Sequence, residues 1–367
     1  MKKNVAALLA LLLVPGAACG GSGATATTET SGTSATAGSG GGAGSTAGSG
    51  GATTGSGGGA TTGSGGATSS TASAGSTTAS STSTTSAASS SSGATPVPMP
   101  KGCVTDVSAG HHVFACGGGV TYDVEIPALC AAGGCGVVLD VHGYTMNAAQ
   151  EDTATGMRAL GTQHGYVVVQ PSAPGVPASW DQATHTPLIF SFVSDVATAL
   201  LTDPKRAHVM GFSQGGGMTW RMVCAHADFF ASASPMSGIL GCEFTAPNVP
   251  SREVPVLQVH GHKDNVVSFT SVAVPLRDGA LAYWGDGAGV VFDSNATHKA
   301  TRYLTAAGTP FEFWEHDYSA GSAFLGGHCS PGGADVGASP FQFGCADAGQ
   351  FNYGQVAMAF FLAHPLG

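Results

Sequence analysis

The chain has 367 residues, only 9% of them charged, and its 12 Lys and Arg face 22 Asp and Glu for a formal charge of -10. No basic cluster able to neutralise phosphates is present, so the composition argues against a nucleic-acid partner. A neutral substrate suits this balance better than an anionic one.

In chain order, Lys2 and Lys3, an apolar run over 5–14 and the small residues Gly16, Ala17 and Ala18 before Cys19 form the pattern of an export signal over residues 1–19. The apolar run is too short to span a bilayer comfortably. Two readings of Cys19 stand side by side. In the preferred one the Cys is acylated, as in a lipoprotein, and gives the protein a lipid anchor. In the other the signal is cleaved and the protein released, since Gly16 stands where a lipoprotein signal usually has Leu. Residues 20–100 follow, almost all Gly, Ser, Thr and Ala, with Glu29 the only charge before Lys101. Such a segment cannot bury enough apolar surface to offset its ordering entropy and is expected to be a disordered tether. One folded domain, 101–367, remains.

Short Val-rich runs at 120–126, 136–142, 165–170, 206–211 and 255–261 have the length and β-branching of buried strands, and 310–314 reads as a further one. Helices are expected at 150–163, 188–201, 214–226, 297–307 and 354–363. Alternating strands and helices predict an α/β domain with a mostly parallel sheet, helices on both faces and chemistry at the carboxyl ends of strands. Residues 270–296, rich in Gly and carrying Tyr283 and Trp284, break the rhythm and are expected to be a loop or cap over the site. Eight of the nine cysteines lie in the domain. An even number in an exported protein reads as disulfides, and nearest-neighbour pairing is the simplest: Cys103 with Cys116, Cys130 with Cys135, Cys224 with Cys242, and Cys329 with Cys345. Free buried thiols and zinc ligation are the alternatives.

The strongest chemical signal is Gly211-Phe212-Ser213-Gln214-Gly215, preceded by a strand and followed by a helix. A G-x-S-x-G sequence in that setting makes a sharp turn that leaves the Ser hydroxyl exposed as a nucleophile. Such a Ser needs a base and a carboxylate to orient it, in the chain order Ser, acid, His. Asp264, just past the strand 255–261, stands where the acid belongs, with Asp278 and Asp286 as substitutes further along. His328, on a Gly-rich loop after 310–314, is the expected base, and His316 is its rival. The oxyanion would be met by the backbone N–H of Gln214 and by one from the loop after the strand 136–142, Tyr144 first and Thr145 as the alternative. His142 reads as a hydrogen-bonded structural residue.

The series HGYTMN, ALGTQHGYVVVQPSA, DPKRAHVMGFSQGGGMT, PVLQVHGHKDNVV and GGHCSPGG resembles the polyhydroxybutyrate depolymerase-like and feruloyl or acetylxylan esterase group of α/β-hydrolases. That resemblance implies an α/β-hydrolase fold and a serine esterase without cofactor, with Ser213, Asp264 and His328 at the triad positions and Gln214 and Tyr144 at the oxyanion positions. The chain departs from the group's pattern in having Tyr144 where depolymerase-like relatives often have Cys, and GHCSPGG in place of an aromatic GHxWPGG loop. Feruloyl or acetyl esters of plant polysaccharide are the expected substrates, and a polyester depolymerase is the alternative. Trp180 and Trp284 are expected to bind a neutral, flat ester, polymer-linked in the polysaccharide and polyester readings alike, with Trp180 as a pocket wall. Two other classes compete. His260, His262 and Asp264 begin like a zinc-hydrolase H-x-H-x-D-H signature but meet Asn265 at its last position. A non-catalytic surface binding protein is the other.

Overall fold

The structure, a computed structural model, describes residues 96–285, 287–337 and 341–367. The expected export signal, Cys19, most of the tether and Asp286 lie outside the described residues. Among these residues no helix is long and apolar enough to cross a membrane.

Ten strands form one sheet: β1 (Gly110–Ala115), β2 (Thr121–Ile126), β3 (Gly136–Val141), β4 (Tyr166–Ser172), β5 (Ala207–Phe212), β6 (Ser232–Met236), β7 (Val256–Gly261), β8 (Val290–Ser294), β9 (His298–Leu304) and β10 (Pro310–His316). Their spatial order is β1-β2-β4-β3-β5-β6-β7-β10-β9-β8. The six central strands from β4 to β10 run parallel, and the pairs at both margins are antiparallel. Every residue of β3, β5 and β7 is buried. That is why these segments read as continuous rather than alternating apolar runs: helices cover both sides.

On one face lie α1 (Ala148–Thr155), α2 (Met157–His164) and α6 (Tyr353–Ala363), around Tyr166, Phe212, Trp314 and Phe361. On the other lie α3 (Gln182–Ala199), α4 (Gln214–Ala225) and α5 (Val274–Trp284), around Trp220, Phe230, Phe311 and Phe313. Side-chain caps start several of them: Asn147 accepts from Gln150 N–H at 3.0 Å, Asp181 from Ala183 N–H at 3.0 Å, and Asn352 from Gln355 N–H at 2.9 Å. The four disulfides join the expected nearest neighbours, across 13, 5, 18 and 16 residues.

Three expectations are corrected. The helix expected at 150–163 is two helices, because Gly156 adopts φ 65° and ends α1 in a left-handed turn. The helix expected at 297–307 is strand β9. Asn295 turns the chain by accepting from Thr297 and His298 N–H at 2.7 and 2.9 Å, and seven residues of β9 then pair with β10, so sheet pairing overrides local propensity. The segment 270–296 is no cap: it contains α5, which buries Leu276 and Ala280, and the fully exposed edge strand β8.

Candidate active site

Ser213 sits between the end of β5 and the start of α4 with φ 55° and ψ -113°, a conformation that L-residues adopt only under constraint. Its N–H is held by the Met236 carbonyl at 2.9 Å. The flanking glycines are required by space. A methyl group on Gly211 would lie 2.6 Å from the Val141 carbonyl oxygen, and one on Gly215 would overlap that carbonyl outright. The turn is thus wedged against β3, and the side chain projects at the carboxyl edge of the sheet where strand order reverses, with β4 on one side of β3 and β5 on the other.

The acid and the base arrive on neighbouring strands. Asp264 follows β7 and His328 lies on the segment after β10, and these strands are parallel partners. The two loops are zipped by backbone bonds, Gly327 N–H to Lys263 O at 2.7 Å and Asn265 N–H to Leu325 O at 3.1 Å. His328 Nε2 lies 2.9 Å from Ser213 Oγ, and its Nδ1 lies 2.8 Å from Asp264 Oδ2. Asp264 Oδ1 accepts from Val266 and Val267 N–H at 2.9 and 2.7 Å. All three side chains are buried. Burial alone would raise the Asp264 carboxyl, but the charge of His328 and the hydrogen bonds of His260 and His328 outweigh it and hold the group well below the usual carboxylate range. The His328 ring is packed by Phe212 at 4.7 Å and Phe343 at 6.3 Å. The adjoining Cys329 is tied to Cys345.

Of the expected oxyanion donors, the N–H groups of Tyr144 and Gln214 have no acceptor among the described residues, whereas Thr145 N–H is taken by the Ala178 carbonyl at 2.9 Å. The loop runs close to Ser213: a methyl group on Gly143 would stand 3.2 Å from Ser213 Cβ. His142 is fully buried; burial lowers its pKa to about 4 and keeps it neutral. Its Nε2 accepts from Ala173 N–H at 2.9 Å, so Nδ1 carries the proton and donates to the Gly143 carbonyl at 2.6 Å.

The remaining candidates lie elsewhere or serve differently. His316 ends β10, stacks on Tyr318 at 5.1 Å, and is kept neutral by burial, its pKa lowered to about 3. Asp278 is on α5, paired with Arg277 at 2.8 Å. Trp284 packs edge-on against Phe244 at 5.6 Å, a core contact in place of the expected substrate contact. Trp180, the expected pocket wall, is only 5% exposed and hydrogen-bonds to the His142 carbonyl just past the end of β3. His262 faces Glu315 and Asp317, each at 3.3 Å. His260 Nε2 bonds the Val267 carbonyl at 2.8 Å and lies 3.3 Å from Asp264 Oδ2. Sequence reading missed this buttress of the acid. Its signal was a His near the end of a buried strand, where an imidazole must find partners.

A parallel sheet whose order reverses at β3, with a strained Ser turn after β5, a carboxylate after β7 and a His after β10, defines an α/β-hydrolase fold. No family model matches the chain. Its curated relatives are esterases and a depolymerase. A bifunctional acetylxylan esterase/xylanase of Neocallimastix patriciarum is 29% identical over 37% of this chain and 20% of its own length. Feruloyl esterase B of Piromyces equi is 36% identical over 22% and 15%, and a poly(3-hydroxybutyrate) depolymerase of Ralstonia pickettii is 31% identical over 28% and 25%. The chain therefore spans a quarter or less of these relatives' lengths. Among solved structures, an acetyl xylan esterase from Aspergillus awamori aligns with a TM-score of 0.44 and 17% identity, covering 54% of this chain and 87% of that one.

Proposed function

We propose that the protein is an exported serine carboxylic ester hydrolase that acts on feruloyl or acetyl esters of plant polysaccharide. The observation that carries the reading is the hydrogen-bonded series Ser213–His328–Asp264 on a strained turn beside two unclaimed backbone N–H groups. In this reading Ser213 Oγ attacks the ester carbonyl carbon while His328 Nε2 takes its proton, and the carbonyl π electrons move onto oxygen, facing the N–H groups of Tyr144 and Gln214. The C–O bond to the alcohol then breaks, and His328 returns the proton to the leaving oxygen. Water repeats the sequence on the acyl-enzyme, freeing the acid and Ser213. Asp264 stays ionised throughout and fixes the imidazole tautomer.

The substrate class is supported by the acetylxylan and feruloyl esterases among the relatives. The match to a poly(3-hydroxybutyrate) depolymerase favours polyester as the second reading. Export is supported by the N-terminal signal pattern and by four disulfides, which persist in oxidising compartments. The test is labelling by a fluorophosphonate together with hydrolysis of nitrophenyl acetate, methyl ferulate, acetylated xylan and polyhydroxybutyrate. Labelling of wild type but not of Ser213→Ala, with turnover of the sugar-linked or feruloyl esters, is expected. No labelling of folded protein overturns the esterase reading, and turnover of polyhydroxybutyrate alone replaces the substrate class with the second.

A further inference from the structure

The two N–H groups assigned to the oxyanion come from separate elements, Tyr144 from the loop after β3 and Gln214 from the first residue of α4. Stabilisation of this kind depends on both being aimed before the reaction begins. The Tyr144 N–H belongs to the Gly143–Tyr144 peptide. The carbonyl of that same peptide accepts from His142 Nδ1–H at 2.6 Å. Since N–H and C=O of a trans peptide point in opposite directions, this bond aims the Tyr144 N–H away from His142.

Both neighbouring peptides are pinned by the segment 178–180. Trp180 Nε1–H donates to the His142 carbonyl at 2.8 Å, and the Ala178 carbonyl accepts from Thr145 N–H at 2.9 Å. The same segment reaches the other donor's residue: Trp180 N–H donates to Gln214 Oε1 at 3.0 Å. The indole ring packs on the His142 ring at 4.8 Å and on His185 at 5.6 Å, which fixes its orientation. Its burial leaves little face for a substrate.

We propose that Trp180 is a positioning residue that locks the two oxyanion donors to each other, acting through the His142 and Gln214 bonds and not by touching substrate. The proposal rests on the esterase reading. Losing an aligned donor costs such enzymes about 100- to 1,000-fold in kcat, and misaligning one costs less.

Trp180→Phe keeps an aromatic ring, though a smaller one, and deletes the Nε1 donor; Gln214→Met keeps side-chain length and deletes the acceptor for the Trp180 N–H. In both, kcat for nitrophenyl acetate is expected to fall about tenfold or more with KM nearly unchanged, because the loss is confined to the transition state. The inhibition constant of a trifluoromethyl ketone, which forms a tetrahedral adduct on Ser213, is expected to rise in the same ratio as kcat/KM falls. A merely structural tryptophan would not produce that proportionality. A raised KM with unchanged kcat and ketone affinity overturns the proposal and makes Trp180 a pocket wall. A lowered kcat with unchanged ketone affinity overturns it as well. If Trp180→Phe does not fold, Gln214→Met decides by the same readouts. A wild type that neither labels nor hydrolyses nitrophenyl acetate overturns the esterase reading and the brace with it, whereas an active wild type with indifferent variants overturns the brace alone.

Discussion

Asp264 receives hydrogen bonds at both carboxylate oxygens, two from backbone at Oδ1 and one from His328 at Oδ2, with the His260 imidazole 3.3 Å from Oδ2. Asp264→Asn must break this pattern, since an amide placed to keep the backbone bonds turns its NH2 toward the Nδ1–H of His328. The variant therefore favours the His328 tautomer whose Nε2 is already protonated, which is useless as a base. His328→Ala is expected to lower kcat about 10⁶-fold and Asp264→Asn about 10⁴-fold, both with thermal midpoints near wild type, measured with nitrophenyl acetate and by calorimetry. Equal kcat in Asp264→Asn and wild type would remove Asp264 from the site. Ser213, Asp264 and His328 were legible in the sequence because each follows a buried strand and sits on a Gly-marked turn. Trp180 was noticed as a pocket wall: a large aromatic on the reactive edge suits a wall and a buried brace equally, and the partner of its indole N–H favours the brace proposed above.

At the level of elements, α1 meets β3 through two buried acids. Asp140 Oδ2 accepts from Thr155 Oγ1 at 2.9 Å and from Gln170 Nε2 at 2.8 Å, while its Oδ1 and both oxygens of Glu151 have no donor among the described residues. Burial pushes Asp140 up to about 6, and burial together with the Asp140 charge pushes Glu151 well above its ordinary value. The pair is satisfied only when Glu151 holds a proton and shares it with Asp140. Unfolded carboxyls titrate near 4, so above about pH 4 the folded state binds more protons than the unfolded one, and stability falls as pH rises. That fall runs through pH 6 and beyond, with a cost on the order of 3 kcal/mol once Asp140 ionises. Glu151→Gln supplies a permanent donor to Asp140, so its thermal midpoint should change less between pH 5 and pH 8, and exceed wild type at the upper end. Parallel profiles would refute this. Nothing in the sequence marked the pair, because Glu151 sits in a helix with little apolar patterning. The strand β9 was hidden for a related reason: its alternation is interrupted, and its place is set by pairing with β10 rather than by its own composition.

Across the whole molecule, the disulfides are all local, closing loops of between 5 and 18 residues. Each constrains the unfolded chain by about 2 to 3 kcal/mol, and none staples distant parts of the sheet. Reductant is therefore expected to lower the thermal midpoint without unfolding the domain at 25 °C, with activity falling chiefly through Cys329–Cys345, which anchors the residue next to His328. Calorimetry and ester turnover with and without dithiothreitol test this, and a reduced protein that is unfolded at 25 °C would contradict it. The mostly parallel sheet followed from strand and helix alternation, but the antiparallel margins did not, since β1 and β8 carry exposed side chains that read as loop. The backbone bonds that zip Lys263 and Asn265 to Gly327 and Leu325 also decide what inheritance can alter. Acid and base are registered to each other upstream of Cys329, so the stretch closed by Cys329 and Cys345, apart from Phe343 against the His328 ring, is an exchangeable cassette. A lineage can lengthen or replace it, drifting from one ester to another, while the proton-transfer apparatus passes down unchanged.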